Sequence, residues 1–233
     1  WKEVFRLESV APIFSFNIGG FPINITRDIV VQWAVILILG IAAYILTRNL
    51  KRVPDKRQVV LETLYTTIEG LVKNNMGESY VGYIPYVGTL VVYLLVLNLM
   101  GIVGIAPPTQ NLSVTLGLGL TSFLVINYTA IKRNGVWGYT KGLGEPFLMM
   151  LPLNIMERVM LPISLALRLF GNMMAATMLI EMIYEALGSI GMLAQIGAPI
   201  IAHGYFDLFD GSIQMLVFTM LTIINIKMTA EHH

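Results

Sequence analysis

The sequence contains no cysteine, and charged residues make up only 12% of it. Without cysteine there is no disulfide framework, no thiolate zinc site and no cysteine nucleophile. A soluble globular domain carries about twice that charged fraction. The formal net charge of +1 gives no electrostatic reason to bind nucleic acid. The mixed charges Lys2, Glu3, Arg6 and Glu8 that follow Trp1 lack the basic-then-apolar layout of a signal peptide. With no initiator methionine at its head, the chain is expected to have lost a residue or more.

Charge is most clearly missing from the long apolar runs. Ile29 to Leu46 has Gln32 as its only strongly polar side chain, and neither Tyr80–Ala106 nor Leu112–Ile131 holds any charge. A hydrocarbon core of about 30 Å needs roughly 20 apolar residues to cross it as a helix. In lipid the backbone must satisfy its own hydrogen bonds, and alternating barrel-type patterning is absent, so these runs predict helices. The expected fold is an all-α membrane protein. Its parts are an outer N-terminal segment (1–28), a first span (29–47), second and third spans (80–131) and a closing hairpin (145–229). Hydropathy is strongly positive, with a mean of +0.72.

Lys and Arg gather after the first span (Arg48, Lys51, Arg52, Lys56, Arg57) and after the third (Lys132, Arg133, Lys141), while Gly104–Asn111 has none. The positive-inside rule then predicts five crossings, with the N-terminus outside and the C-terminus, near Lys227, His232 and His233, in the cytoplasm. Residues 55–76 repeat apolar positions at helical spacing among charges. They read as an amphipathic helix that lies on the cytoplasmic membrane face or packs on a partner protein. Glu145-Pro146 suits a helix start, and Gly188, Gly191, Gly197 and Pro199 mark the final turn. A helix from Asn154 to Leu187 would be about 50 Å long, so it should tilt steeply, kink near Pro162 or lie partly in the interface, and a strongly inclined closing hairpin is expected. Gly138 and Gly142 match GxxxG but flank Lys141 in what reads as a polar loop, so the match is discarded.

Against this background the last third stands out for its ionisable residues. Arg168 lies in Leu165-Ala-Leu-Arg-Leu-Phe-Gly-Asn-Met-Met-Ala175. Arginine stays charged at physiological pH, and at the centre of a spanning helix it costs at least about 2.5 kcal/mol. A buried salt bridge would be the plain explanation, but nothing acidic sits one turn away. Gly171 and Asn172 occupy those positions, the first permitting close helix approach and the second offering a polar partner. Glu157 lies about three turns earlier on nearly the same face, roughly 16 Å away. Glu181 lies toward the opposite end on a different face. His203, Asp207, Asp210 and Gln214 form a polar line on the last helix, continued by Asn225, which is either packed inward or wetted. Acidic groups therefore approach the arginine from both sides with no continuous line joining them. A secondary transporter with a midplane site is the competing reading, but it would show repeated halves, and the first half has no counterpart to Arg168.

Leu167-Arg-Leu-Phe-Gly-Asn-Met173, preceded by Pro162-Ile-Ser-Leu, resembles the signature of subunit a of the F-type ATP synthase membrane sector. Asn98-Leu-Met-Gly, Pro107-Pro-Thr, Asn111-Leu-Ser-Val-Thr-Leu-Gly-Leu, Leu151-Pro-Leu-Asn-Ile-Met-Glu157 and the stretch from Gln214 to Thr229-Ala-Glu-His agree with it, in a bacterial version. The resemblance implies a non-catalytic, proton-translocating stator subunit of the plasma membrane, without cofactor. Its implied partners are the ring of c subunits, the b-subunit peripheral stalk and the lipid bilayer. It implies that Arg168 faces the ring carboxylates with Asn172 and Gln214 near it, and that Glu157 is the acid of a cytoplasmic half-channel. The chain departs from the family on the outer side. Thr177 stands where many relatives have Glu, and Asp207 where some have His. Glu181 and Asp207 are therefore expected to share the outer role, beside His203 and Asp210.

Overall fold

The computed structural model describes residues 14–18, 21–48, 55–142, 151–188 and 201–231. The charges from Lys2 to Glu8, Lys51 and Arg52, the Glu145-Pro146 start, the turn through Gly191, Gly197 and Pro199, and His232–His233 lie outside them. Among the described residues five helices are long and apolar enough to cross a membrane: Arg27–Thr47, Glu78–Val103, Leu112–Tyr139, Leu151–Gly188 and Ile201–Glu231. The all-α membrane architecture expected from the uncharged runs is thus observed. The helices are α1 (Arg27–Thr47), α2 (Lys56–Met76), α3 (Ile84–Leu99), α4 (Leu112–Gly142), α5 (Leu151–Gly188) and α6 (Gly211–Glu231). A π-helical segment, Gly204–Asp210, leads into α6.

One element was not expected. Strands β1 (Phe14–Ile18) and β2 (Phe21–Ile25) pair antiparallel, with Phe14 opposite Ile25 and Ile18 opposite Phe21. Their sequences, Phe-Ser-Phe-Asn-Ile and Phe-Pro-Ile-Asn-Ile, alternate apolar and polar residues with the period of a strand. Such a short alternation is easily passed over beside the long apolar runs that follow. An isolated two-stranded hairpin is marginal in water, and this one runs directly into α1.

Contacts at the helix ends establish an alternating up-and-down order. Asn111, before α4, donates to the Asp28 carboxylate at the start of α1 (2.8 Å), and Gln110 bonds Thr177 in the second half of α5. These bonds gather the start of α1, the α3–α4 connection and the later part of α5 at one end of the bundle. At the other end Arg133 donates to the Ser79 carbonyl (3.1 Å) and Asn134 to the Ala230 carbonyl (3.2 Å). There α4 breaks at Gly135, whose φ of 71° only glycine adopts freely. Past the break Tyr139 returns to bond Asn127 and lies under the Arg158 guanidinium.

Two apolar clusters hold the bundle. One joins Ile68, Val72 and Met76 of α2 to Ile126 of α4 and to Ile223 and Ile226 of α6. The second joins Leu94 of α3, Leu165, Leu169 and Met173 of α5, and Phe218 of α6. The amphipathic helix α2 therefore packs its last turns on α6 of its own chain, while Val59, Val60, Leu64 and Tyr65 on its earlier turns stay uncovered. Its end is fixed by Gly77, at φ 99°, which donates to the Lys73 carbonyl. Lys73 itself sits 3.0 Å from Glu69 and 3.3 Å from Glu78. Its hydrogen bond to Glu69, then that to Glu78, holds its ammonium above the ordinary lysine value of 10.5.

Small and hydroxyl residues line the face of α4 turned to the other helices. Thr115, Ser122 and Thr129 are fully buried there, and Tyr86 and Tyr83 of the second span donate to Ser122 (3.1 Å) and Thr129 (2.7 Å). At Gly119 the helices come closest: a Cβ there would lie 2.6 Å from the Pro162 carbonyl oxygen. Spanning helices gain no hydrophobic advantage from leaving lipid, so close approach of small residues and interhelical hydrogen bonds do the joining. By contrast α1 buries only Val35 and touches the bundle through Asp28 and, at 3.4 Å, the Gln32–Tyr93 hydrogen bond.

Candidate functional site

The 38 residues of α5 give it a length of about 57 Å. Pro162 sits inside it without ending it, and the α4 backbone comes close to the Pro162 carbonyl at Gly119. Leu165, Leu169, Met173 and Ala176 face the core. The opposite strip, Ser164, Arg168, Gly171, Ala175 and Met182, is uncovered. Arg168 makes no hydrogen bond or ion pair among the described residues. One turn on, a Cβ added at Gly171 would meet nothing within 4 Å. The arginine and the glycine beside it thus share an open face on which no helix among the described residues packs.

Asn172, with Ala175 of that strip and Ala176, Leu179, Tyr205, Phe206 and Asp210, lines an open cavity of about 220 Å³ between α5 and the π-helical segment. Several water molecules fit in such a volume, each needing about 30 Å³. Glu157 and Glu181 are both exposed on α5, at opposite sides of Arg168 along the helix. Neither makes a hydrogen bond or ion pair among the described residues, and no contact brings Glu181 to Asp207.

The polar residues of the last span do not form the single line that their spacing suggests. A π-helix bonds i to i+5, so its wider turn fans successive side chains apart. Asp207, 5% exposed, points at the second span. A Cβ at Gly101 would lie 2.6 Å from the Asp207 carboxylate, so only glycine leaves it this seat. Asp210 instead lines the cavity with Asn172. Gln214, 7% exposed, lies inside the bundle. His203 places Nδ1 2.6 Å from Oδ2 of Asp207, and its Nε2 is 3.3 Å from the Tyr184 hydroxyl of α5. The junction of the π-segment with α6 is fixed by Asn98. Its Nδ2 donates to the Gly211 carbonyl (2.9 Å), and its Oδ1 accepts from the Thr109 hydroxyl (3.2 Å).

Sequence reasoning passed over Tyr184 and Gln110, and gave Gly101 and Thr109 no role beyond their place in motifs. A tyrosine near the end of a spanning helix reads as part of the interfacial aromatic belt, and nothing local to Gly101 signals a carboxylate from a helix over a hundred residues later. Only the isolated asparagine of Asn98-Leu-Met-Gly, a polar side chain in an uncharged run, carried a usable signal.

A family model described as ATP synthase A chain matches residues 29–227. The chain is 33% identical over 227 residues to the "ATP synthase subunit a, sodium ion specific" of Propionigenium modestum, covering 91% of this chain and 75% of that one. It is 32% identical to "ATP synthase subunit a 2" of a Bradyrhizobium species, covering 90% of each chain. It is also 32% identical to "ATP synthase subunit a" of Moorella thermoacetica, covering 96% of this chain and 99% of the relative. The match spans all five membrane helices, the uncovered arginine included. The chain belongs to the ATP synthase A chain family, the membrane-embedded subunit a of the F-type ATP synthase.

Proposed function

We propose that this subunit provides two offset aqueous half-channels to the c-ring, separated by Arg168, so that proton flow turns the ring and drives ATP synthesis in the soluble sector. The observation that carries this reading is the uncovered Arg168 beside open Gly171, with no counter-ion among the described residues of its own chain. A charge so costly in lipid is retained where it meets a partner, and a carboxylate on a neighbouring helix of the ring supplies one. The b-subunit stalk would hold this chain still while the ring moves. The chain itself makes and breaks no bonds other than those to the passing ion.

A ring carboxylate surrounded by lipid holds its proton, since burial disfavours its charged form. Beside the Arg168 guanidinium the charged form is favoured, and the proton leaves along the Glu157 side. Asn172 and Gln214 stand near the arginine, and reloading then requires the ring to turn to the other half-path, to which Glu181 and Asp207 are assigned beside His203 and Asp210. A fixed cation between the two paths repels hydronium and closes the direct route. A membrane potential supplies about 2.3 kcal/mol per charge per 100 mV. The distribution of basic residues supports the N-terminus-outside orientation. Arg48, Lys56, Arg57, Lys132, Arg133, Arg158 and Lys227 are at the end of the bundle that holds Ser79 and Ala230, and Arg27 is at the other. A helix of about 57 Å in a core of about 30 Å cannot stand upright, which supports a steep tilt for α5.

The test is Arg168→Ala in assembled enzyme reconstituted in vesicles. Coupled synthesis is expected to vanish while passive proton leak through the membrane sector rises; retained coupling would overturn the reading. The same vesicles, energised by a proton or a sodium gradient, decide which ion is carried. Synthesis driven by sodium alone would replace the proton with the ion named for the Propionigenium relative.

A further inference from the structure

Near the end of the bundle that holds Ser79 and Ala230, α5 carries two opposite charges side by side, and their surroundings differ. Glu157 is exposed and makes no hydrogen bond or ion pair among the described residues. Arg158, half-buried, does not turn to it: its guanidinium lies 4.7 Å from the centre of the Tyr139 ring. The negative face of an aromatic ring attracts a cation, and the flat guanidinium also stacks on it. The ring is itself held. The break at Gly135 brings the last residues of α4 back toward the helix they leave, and the Tyr139 hydroxyl donates to Oδ1 of Asn127. The Asn127 amide in turn donates to the Phe123 carbonyl (2.7 Å), which leaves its Oδ1 aimed at the tyrosine. At 3.6 residues per turn Glu157 shares nearly one face with Arg168, and Arg158 stands about 100° round from Glu157.

We propose that Tyr139 is a positioning residue that parks the Arg158 guanidinium against α4, so that the adjacent Glu157 keeps no permanent counter-ion. This rests on the half-channel reading above, in which Glu157 serves the exit of the proton. Two demands meet at this point of α5. A basic residue at this end suits the charge asymmetry that orients a membrane protein. A loose guanidinium beside a carboxylate, however, favours the charged form of that carboxylate and so opposes its uptake of a proton. Consecutive helix positions do not face each other, but the arginine stem has rotamers enough to swing an unheld guanidinium round to its neighbour. Stacking on Tyr139 meets both demands, since the positive charge stays at this end of the bundle while its head is directed to a ring on α4. Tyr139 and Arg158 themselves neither take nor give the proton. It comes from a ring carboxylate, rests on Glu157 and leaves to water.

The experiment uses the assembled ATP synthase in vesicles, with the amount of assembled complex measured for every variant. Tyr139→Leu, which removes the aromatic face, is expected to lower proton-driven synthesis by about tenfold, the change in proton affinity that one neighbouring cation readily brings. Tyr139→Phe keeps that face and should stay close to the wild-type rate. The deciding variant is Tyr139→Leu combined with Arg158→Gln. With the loose cation gone, synthesis should return most of the way to wild type, whereas a tyrosine that merely packs the bundle would leave the double variant as slow as the single one. A wild-type rate in Tyr139→Leu, or a double variant no faster than Tyr139→Leu, would overturn the parking role. Should Tyr139→Leu fail to assemble, Tyr139→Met carries the same comparison with the same two outcomes. Glu157→Gln measured in parallel separates the two ideas. If it is slow while Tyr139→Leu runs at full rate, the exit role of Glu157 stands and the parking alone fails. If Glu157→Gln runs at full rate, the half-channel reading loses its exit acid and the parking role falls with it.

Discussion

A fully buried asparagine in an apolar helix must satisfy its donors and acceptor without water. Asn98 does so across three elements, binding the Gly211 carbonyl and the Thr109 hydroxyl. Asn98→Leu would remove both bonds, leaving the buried Thr109 hydroxyl without this acceptor and the Gly211 carbonyl with only its bond within α6. The usual penalty of about 1–3 kcal/mol is softened in bilayers, where interhelical hydrogen bonds average about 0.6 kcal/mol. We expect a loss of about 1–2 kcal/mol, read as earlier thermal unfolding of the purified subunit in detergent; an unchanged midpoint would refute the role of this bond. Legibility at this scale depended on cost. Arg168 was readable because a charge in lipid needs a reason wherever it stands. Tyr184 and Gly101 are ordinary residues made special by neighbours distant in sequence, and no local pattern carries that information.

At the scale of elements, apolar run length was the dependable signal, since lipid leaves a spanning backbone no choice but the helix. The joints between helices were harder to read. A close approach of helices occurs at Gly119, where α4 meets the Pro162 carbonyl with Ala166 Cβ 3.4 Å away. Both neighbours belong to a rigid helix, so a new side chain cannot be accommodated by a rotamer change. Gly119→Val should cost about 1–3 kcal/mol through forced separation of α4 and α5. Thermal unfolding in detergent measures it, and a wild-type midpoint would show that the two helices are not held there. The π-helical segment was also out of reach, because spacing arguments assume a turn of constant width. His203, Asp207, Asp210 and Gln214 keep helical intervals in the sequence while facing different neighbours. A second prediction belongs to α2. Because its partners hold Lys73 above 10.5, the stabilisation of the α2 end is complete below that value and is lost as pH rises through the elevated one. Amide exchange around Gly77 should therefore accelerate beyond the intrinsic pH dependence only at strongly alkaline pH, and Lys73→Met should abolish that extra step.

For the whole molecule, the informative contrast lies between Gly119 and Gly171. The first is pressed against a neighbouring backbone, whereas the second has nothing within 4 Å of a Cβ placed there among the described residues. Gly171→Leu should leave the unfolding midpoint of the isolated subunit unchanged to within about 0.5 kcal/mol, as surface changes do. In the assembled enzyme the same substitution should block seating against the ring and abolish coupling. Equal damage to both would mean that this face is internal after all. The bundle also varies in how far each span depends on the others. The first span is the most apolar of the five and the least buried; the last is the least apolar, and a much larger share of it is covered. Synthesis delivers them in that order. Each early span can settle in the bilayer on its own hydrophobicity, whereas the later ones bring histidine, carboxylates and amides that are tolerated only against helices already in place. The order of the spans along the chain is thus an order of membrane insertion, with the ionisable half arriving once there is a surface to receive it.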